Sequence, residues 1–289
     1  MPDDAVEELP LGMAPGLPSG WERAWWPPMQ YGLAAAIAVL FSIPLLWMLS
    51  TSLRPPGIAP AARFEWVPPV LALDNYPLIF STFPLARFLG NSIGVVLVAV
   101  PLTLLTASLA GFALAGLPPR TRGVWVALSV AAMLVPAMAL WVPRFLIYKA
   151  LGILDTPFAL IAPAIMGTSP LYVLLFTWAF ARVPREIFEQ ARLDGASAWR
   201  TWWAVGLPLV RPAITAVAVL ATLFYWSDYI SPLLYINNQD YYTLPVGVQL
   251  IYQANRTAWP SMMAGAVVLT VPVLTLFLLA QRFIFRLGR

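Results

Sequence analysis

Six long stretches without a charged residue constrain this chain most strongly. They lie at residues 24–53, 88–119, 123–143, 156–181, 212–239 and 257–281, and only Asp228 interrupts the fifth. A helix needs roughly 20 apolar residues to cross about 30 Å of hydrocarbon. In lipid, a helix also satisfies its backbone polar groups within the same segment. The sequence therefore predicts an all-α membrane protein with six transmembrane helices.

Composition excludes several other classes of protein. The chain of 289 residues is 60% hydrophobic and only 10% charged, which is too apolar for a soluble globular protein. Cysteine and histidine are absent, so disulfides, thiolate metal sites and the usual general base are not expected. The single lysine, Lys149, does not lie in a P-loop, so any ATP hydrolysis is expected on another subunit. We expect no cofactor, no metal and no nucleic-acid partner.

The chain divides into three segments. Residues 1–23 are acidic, rich in proline and glycine and without periodicity, which predicts a disordered tail. Residues 24–86 contain the first transmembrane helix and an outer connector, in which repeated prolines oppose regular structure. Residues 87–289 contain the other five helices. Within them, residues 240–256 predict an ordered outer loop with a short interfacial or re-entrant helix.

The distribution of basic residues predicts the orientation in the membrane. With a cytoplasmic N-terminus, the inner segments hold eleven basic residues: Arg23, Arg120, Arg122, Arg182, Arg185, Arg192, Arg200, Arg211, Arg282, Arg286 and Arg289. The outer segments then hold six: Arg54, Arg63, Arg87, Arg144, Lys149 and Arg256. Because cytoplasmic loops carry the excess of Lys and Arg, both termini are predicted to be cytoplasmic.

The polar stretch between Pro184 and Pro212 predicts two short helices joined at a glycine. Pro184 suits a helix start, and Gly195 suits the left-handed residue that follows a helix end. Ser197 is typical of the residue that caps a second helix. That helix is expected to run to Gly206 and to end at Leu207-Pro208. We call residues 184–211 the elbow.

Within the elbow, Glu189-x-Ala191-x-x-Asp194-Gly195, followed by Leu207-Pro208 and Pro212, resembles the EAA loop of permeases in binding-protein-dependent ABC importers. Gln190 stands where that family usually has alanine. The resemblance extends over residues 40–285. It includes Asn75-Tyr76, Arg87-Phe88-x-x-Asn91-Ser92, Met263-Ala264-Gly265, Pro272 and Gln281-Arg282-Phe283. Together these motifs are similar to those of the carbohydrate (MalG-like) permeases of type I importers, with the MetI-like fold.

This resemblance implies a permease that is not itself an enzyme and lies in the cytoplasmic membrane as a multi-pass protein. It implies a second, different permease subunit, two ATPase subunits, an extracytoplasmic solute-binding protein, surrounding lipid and a sugar or oligosaccharide substrate. The loop that couples it to the ATPase would include Glu189, Ala191, Asp194, Gly195, Leu207 and Pro208.

Asp228 is the one acid expected within a span, and a charge at that depth usually faces a bundle interior or a water-filled path. The sequence around it resembles the W-N-[DE]-[FY] motif of carbohydrate permeases, with Ser227 in place of asparagine. A substrate path along Tyr225, Trp226, Asp228 and Tyr229 is therefore one hypothesis. The other is that Asp228 lies near enough to the outer interface to be hydrated.

Two alternative functions remain open at this point. An importer for glycerol phosphate, a polyol or a polyamine would keep the elbow and differ in its cavity. A membrane-embedded enzyme would need a cluster of intramembrane acids or nucleophiles, which a single aspartate without His or Cys does not supply.

The predicted orientation is testable because the chain contains no cysteine of its own. Single cysteines at Val70 or Leu250 should react with a membrane-impermeant thiol reagent added to intact cells. Cysteines at Thr121 and Ala198 should resist it until the membrane is permeabilised. The reverse labelling pattern would contradict the orientation.

Overall fold

The structure, a computed structural model, describes residues 20–56, 66–68, 70–165 and 169–285. These residues form helices and connecting segments, without a strand among them. The α-helices are α1 (Gly20–Ser52), α2 (Asn75–Thr82), α3 (Leu85–Ala115), α4 (Pro119–Met133), α5 (Trp141–Ala150), α6 (Phe158–Ile165), α7 (Pro170–Ala181), α8 (Arg185–Leu193), α9 (Ala198–Arg200), α10 (Leu207–Leu209), α11 (Arg211–Ser227), α12 (Ile230–Tyr235), α13 (Leu244–Ala254) and α14 (Trp259–Phe285).

Four stretches of the described residues are long and apolar enough to cross a membrane. They are Met29–Ser52, Leu85–Ala115, Phe158–Ala181 and Trp259–Leu279. Two bent pairs qualify when each is counted as one span: α4 with Ala137–Ala150, bent by 91°, and Ala198–Leu209 with α11, bent by 85°. With these pairs the number of spans reaches the predicted six.

The predicted boundaries need correction at several places. The third stretch is not continuous, because α4 ends at Met133 and a 3₁₀ turn at Ala137–Leu140 follows Pro136. The fifth helix stops at Ser227 and does not continue to residue 239. α1 begins at Gly20, so residues 20–23 are helical, whereas the rest of the predicted tail lies outside the described residues. Among the described residues of the predicted connector, helix α2 forms before α3 begins, and the predicted helix of the 240–256 loop is α13.

The fold comprises two compact units, residues 1–47 and residues 48–289. Helix α3 is the centre of the larger unit, where its buried residues pack mainly against α6, α7 and α11. A second core cluster joins α2 and the start of α3 to α13 and α14. The two clusters lie toward opposite ends of α3, so this helix connects the elbow region with the outer loop.

Gly111 permits the closest approach between α3 and α7. A Cβ added there would lie 2.5 Å from the Phe176 Cβ and 2.8 Å from the Thr177 backbone nitrogen. Small residues at such crossings let helix backbones approach closely in membranes. Gly116, in contrast, ends α3, and a Cβ there would meet only carbonyls of its own helix.

Gly111→Ala should destabilise the protein, because overpacking costs about 1–3 kcal/mol and exceeds the helix propensity that alanine gains. Gly94→Ala is the matched control, since Gly94 lies on the same helix with nothing within 4 Å of a new Cβ. The melting temperature of the purified protein should fall with the first variant and hold or rise with the second. Equal melting temperatures would contradict the close α3–α7 contact.

Candidate functional site

The first helix of the elbow ends in a Schellman motif. Gly195 has a φ of +81°, the left-handed conformation expected from the sequence. The backbone N–H of Ala196 donates to the Ala191 carbonyl at 2.9 Å, and that of Gly195 donates to the Arg192 carbonyl at 3.0 Å. The motif with Ala191, Asp194 and Gly195 therefore has a physical basis, because it reverses the chain while satisfying carbonyls at the end of α8.

The second helix of the elbow begins as predicted and ends later than predicted. The Ser197 hydroxyl accepts a hydrogen bond from the Arg200 backbone N–H at 3.2 Å. After α9 the chain makes a π-helical segment, Thr201–Gly206, and then α10, which includes Pro208 and ends at Leu209. The prediction that Leu207-Pro208 ends this helix is wrong. A proline removes one N–H donor, and a wider π turn, here Leu207 N–H to Trp202 carbonyl, accommodates that loss.

Aromatic side chains attach the elbow to the membrane helices. The Phe112 ring of α3 lies 5.3 Å from that of Phe180 on α7 and 5.6 Å from that of Phe188 on α8, both edge to face. A Cβ on Gly206 would lie 3.1 Å from the Phe180 ring. Trp202 is only 1% exposed. The elbow therefore packs directly on the ends of α3 and α7.

The opposite face of the elbow presents large apolar side chains to the surroundings. Leu193 is 87% exposed, and Trp199 and Trp203 are also exposed. Trp199 and Trp203 flank the buried Trp202, with ring centroids 4.7 Å and 5.9 Å from it. Exposed apolar patches mark surfaces that bind another protein or a membrane.

The six residues predicted for coupling occupy different environments in this elbow. Glu189, Asp194, Gly195 and Pro208 are exposed. Ala191 and Leu207 are half-buried, and Leu207 packs against the main core. The exposed aromatics Trp199 and Trp203 were not among the predicted residues. Several tryptophans close together in a polar stretch are the signal that could have indicated them.

The predicted substrate-path residues surround the end of α11. Asp228 follows this helix in an extended conformation, and its carboxylate accepts a hydrogen bond from the Ser231 backbone N–H at 3.0 Å. It thereby caps α12, and it is half-buried. The Trp226 indole is 6% exposed and donates to the Leu269 carbonyl of α14 at 2.9 Å. Tyr229 is half-buried and directly precedes α12.

Tyr225 faces a small cavity of about 100 Å³ among α3, α6, α7 and α11. Its hydroxyl lies 3.2 Å from the Thr103 hydroxyl, and Thr106 donates to the Ala164 carbonyl at 2.9 Å. The other lining residues include two further hydroxyl groups, Ser169 and Tyr172. Of the four predicted path residues, only Tyr225 lines this cavity. The threonines were missed because hydroxyls scattered in apolar stretches also bond to their own helix.

The end of α3 farther from the elbow is held in place by a polar network. Arg87 forms an ion pair with Asp240. The Asn91 amide donates to the carbonyls of Asp240 at 2.7 Å and Tyr242 at 2.9 Å. The Ser92 hydroxyl accepts from the Leu244 N–H at 2.8 Å. The motif Arg87-Phe88-x-x-Asn91-Ser92 therefore fixes the loop that leads into α13.

Asn75 organises the neighbouring junction. Its side-chain amide donates to the carbonyls of Ser52 at 3.0 Å and Arg54 at 2.6 Å, and its oxygen accepts from the Ser261 hydroxyl at 3.0 Å. Asn75 is fully buried. It thus joins the end of α1, the start of α2 and the start of α14.

Comparison with known protein families shows which family this chain belongs to. The family described as binding-protein-dependent transport system inner membrane component matches residues 104–288, which include the elbow, α11 and α14. The chain belongs to this family. Its members are transport permeases of the inner membrane rather than enzymes, so this permease is a multi-pass membrane protein.

Curated relatives are similar in sequence to this permease over most of its length. The sulfoquinovosyl glycerol transport system permease SmoH of Agrobacterium fabrum is 32% identical over 94% of both chains. The arabinooligosaccharides transport system permease AraQ of Halalkalibacterium halodurans is 31% identical over 86% of this chain and 90% of its own. The trehalose transport system permease SugB of Mycobacterium tuberculosis is 28% identical over 83% of this chain and 88% of its own.

A solved structure confirms the fold. The crystal structure of a bacterial ABC transporter involved in the import of the acidic polysaccharide alginate superposes with a TM-score of 0.71 at 18% identity, over 93% of this permease and 99% of that chain. The predicted all-α, MetI-like architecture is therefore correct. Glu189, Ala191, Asp194, Gly195, Leu207 and Pro208 remain a prediction for coupling, as do Tyr225, Trp226, Asp228 and Tyr229 for the substrate path.

Proposed function

We propose that this permease is a membrane subunit of an ABC importer that moves a sugar or oligosaccharide into the cytoplasm, driven by ATP hydrolysis on separate subunits. The observation that carries this proposal is the elbow. It is a short helix, a Schellman reversal and a second helix, packed on membrane helices on one side and exposed on the other.

The exposed face of the elbow supports docking of an ATPase subunit. Leu193, Trp199 and Trp203 supply apolar area, and Glu189 and Asp194 add carboxylates on the same element. Aromatic anchors surrounded by polar groups are typical of the residues that carry binding energy in protein interfaces. The buried face then transmits any movement, because Phe188 and Gly206 contact the aromatic rings at the ends of α3 and α7.

The assembly that follows contains this permease, a second and different permease subunit and two ATPase subunits. An extracytoplasmic solute-binding protein delivers the sugar to the outer loops. A crystal structure of the alginate transporter includes an alginate pentasaccharide-bound periplasmic protein, and its permease has the same fold as this one. In this assembly both termini and the elbow are cytoplasmic, as the distribution of arginine predicts.

Sugar specificity is supported by the relatives and by the cavity beside α11. The relatives named above belong to transport systems for sulfoquinovosyl glycerol, arabinooligosaccharides and trehalose, which are sugars or glycosides. Hydroxyls of Thr103, Ser169 and Tyr225 line the cavity together with the ring of Phe224. Hydroxyl groups and aromatic faces complement the hydroxyls and C–H faces of a sugar. The cavity of about 100 Å³ holds only part of a sugar, so the path would widen in another state of the transporter.

Gly195→Val should uncouple transport. A Cβ there meets nothing within 4 Å, so the expected cost is mainly backbone strain, roughly 1–2 kcal/mol or a 5- to 30-fold shift in the local equilibrium. Membrane insertion should be normal, while sugar uptake falls and the ATPase subunits are retained weakly or hydrolyse ATP without transport. Glu189→Lys should act in the same direction more mildly.

Two variants serve as controls for that experiment. Gly195→Asn should restore most uptake, because asparagine tolerates the left-handed conformation. Gly152 also has a positive φ, +67°, with open space around it, but lies outside the elbow. Gly152→Val should lower the amount of folded transporter without separating ATP hydrolysis from uptake. Normal uptake with Gly195→Val would overturn the coupling role.

Asp228→Asn tests the substrate path with little structural disturbance. Asparagine keeps the oxygen that accepts from Ser231, so α12 stays capped while the negative charge is lost. We expect a several-fold change in the apparent KM or rate of sugar uptake, with unchanged expression. Asp74→Asn is the control, since Asp74 makes no side-chain cap bond at the start of α2. Unchanged uptake with Asp228→Asn would favour the hydrated-interface hypothesis.

The solute class needs a separate measurement. A panel with a sugar, a polyol, glycerol phosphate and a polyamine would identify it.

A further inference from the structure

A second cavity, of about 410 Å³, lies between the elbow and the ends of the membrane helices. Its walls come from the ends of α3 and α7, the first turn of α4 and one face of α8. It is distinct from the hydroxyl-lined cavity beside α11. We call it the arginine cavity.

Three arginine residues line the arginine cavity. Arg122 comes from α4, and Arg185 and Arg192 come from α8, where a spacing of seven residues puts them on one helix face. Glu189 lies between them on that face. The three arginines and Glu189 together give the lining of the cavity a net charge of +2. Within the part of the chain that the structure describes, none of the three arginines forms a salt bridge.

The remaining wall of the arginine cavity is apolar. It is formed by Phe112, Ala113, Ala115, Leu117, Phe180 and Val183. These residues belong to the last turns of α3 and α7 and the segments that follow them, at the level where the apolar stretches give way to arginine. The cavity is therefore amphipathic at the depth of the membrane interface.

We propose that the arginine cavity binds the phosphate headgroup of an anionic phospholipid, with the apolar wall holding the adjoining part of its acyl chains. Basic pockets between transmembrane helices on the cytoplasmic side bind such headgroups. The planar guanidinium fork of arginine matches phosphate oxygens in pairs. The proposal rests on the proposed orientation, in which the inner leaflet supplies the lipid. Bound there, the phosphate joins Arg122 of α4 to Arg185 and Arg192 of α8, and so stabilises the elbow against the spans.

The test uses the whole transporter in nanodiscs of phosphatidylcholine that contain a minor fraction of phosphatidylglycerol. Native mass spectrometry counts the phosphatidylglycerol molecules that the complex retains. Arg122→Gln should weaken that retention about fivefold, the effect of one basic residue near an anionic lipid surface. Arg120→Gln is the matched control, because Arg120 lies on the same helix and carries the same charge but does not line the cavity. It should retain the lipid as the native chain does.

Three results would overturn the proposal. The first is equal retention by the native chain and Arg122→Gln. The second is an equal loss with Arg120→Gln and Arg122→Gln, which would indicate general attraction of anionic lipid. The third is Arg122-dependent binding of inorganic phosphate alone, in pure phosphatidylcholine, without phosphatidylglycerol enrichment. Both leaflets of a nanodisc contain the lipid, so a wrong orientation would not affect this measurement and is tested separately by thiol labelling.

Discussion

In hydrocarbon a free peptide N–H or C=O finds no water, so a chain leaves the helical conformation only where another group replaces the lost partner. The helix break next to α11 and the two breaks in the exposed elbow all provide such partners, although only a break within lipid strictly requires them. After Ser227 the Asp228 carboxylate binds the Ser231 N–H, and at Ser197 a hydroxyl binds the N–H of Arg200. At Gly195 two backbone bonds close the end of α8. Each of these breaks redirects a helix at a point that the proposed transport function uses.

The elbow combines two requirements that usually conflict. Its reversal needs a left-handed residue and an open surface, whereas its attachment needs dense packing. The chain separates them along the segment, with Gly195 in open space and Gly206 against the Phe180 ring. Because Phe112 contacts both Phe180 and Phe188, a displacement of α8 reaches α3 and α7 through rings in direct contact. Packed interiors respond to such a displacement by shifting whole helices, which suits alternating access.

Helix α3 connects this inner end with the outer loop. Its first turns hold Arg87, Asn91 and Ser92, which bind the backbone or side chains of the segment from Asp240 to Leu244. The exposed ion pair contributes little by itself, below about 1 kcal/mol. The Asn91 amide adds two hydrogen bonds to backbone carbonyls, one exposed and one partly buried, each worth about 0.5–1.5 kcal/mol. These contacts fix the position of the 240–244 segment relative to α3, and the other end of α3 packs against the elbow.

The sequence by itself determined the class of the molecule and the local chemistry of its turns. Uncharged stretches of 20 or more residues admit only membrane helices, and Gly195 and Ser197 act through neighbours within five residues. Tertiary structure decided the rest. The structure was needed to place the 91° bend after α4, the end of α11 at Ser227 and the continuation of the elbow through Pro208. Each of the two cavities likewise contains residues from helices that only packing brings together. Thr103 and Tyr225 line the first cavity, and Arg122 and Arg192 line the second. Spacing along the chain carries no record of such long-range contacts, which is the physical reason that the sequence alone left them undetermined.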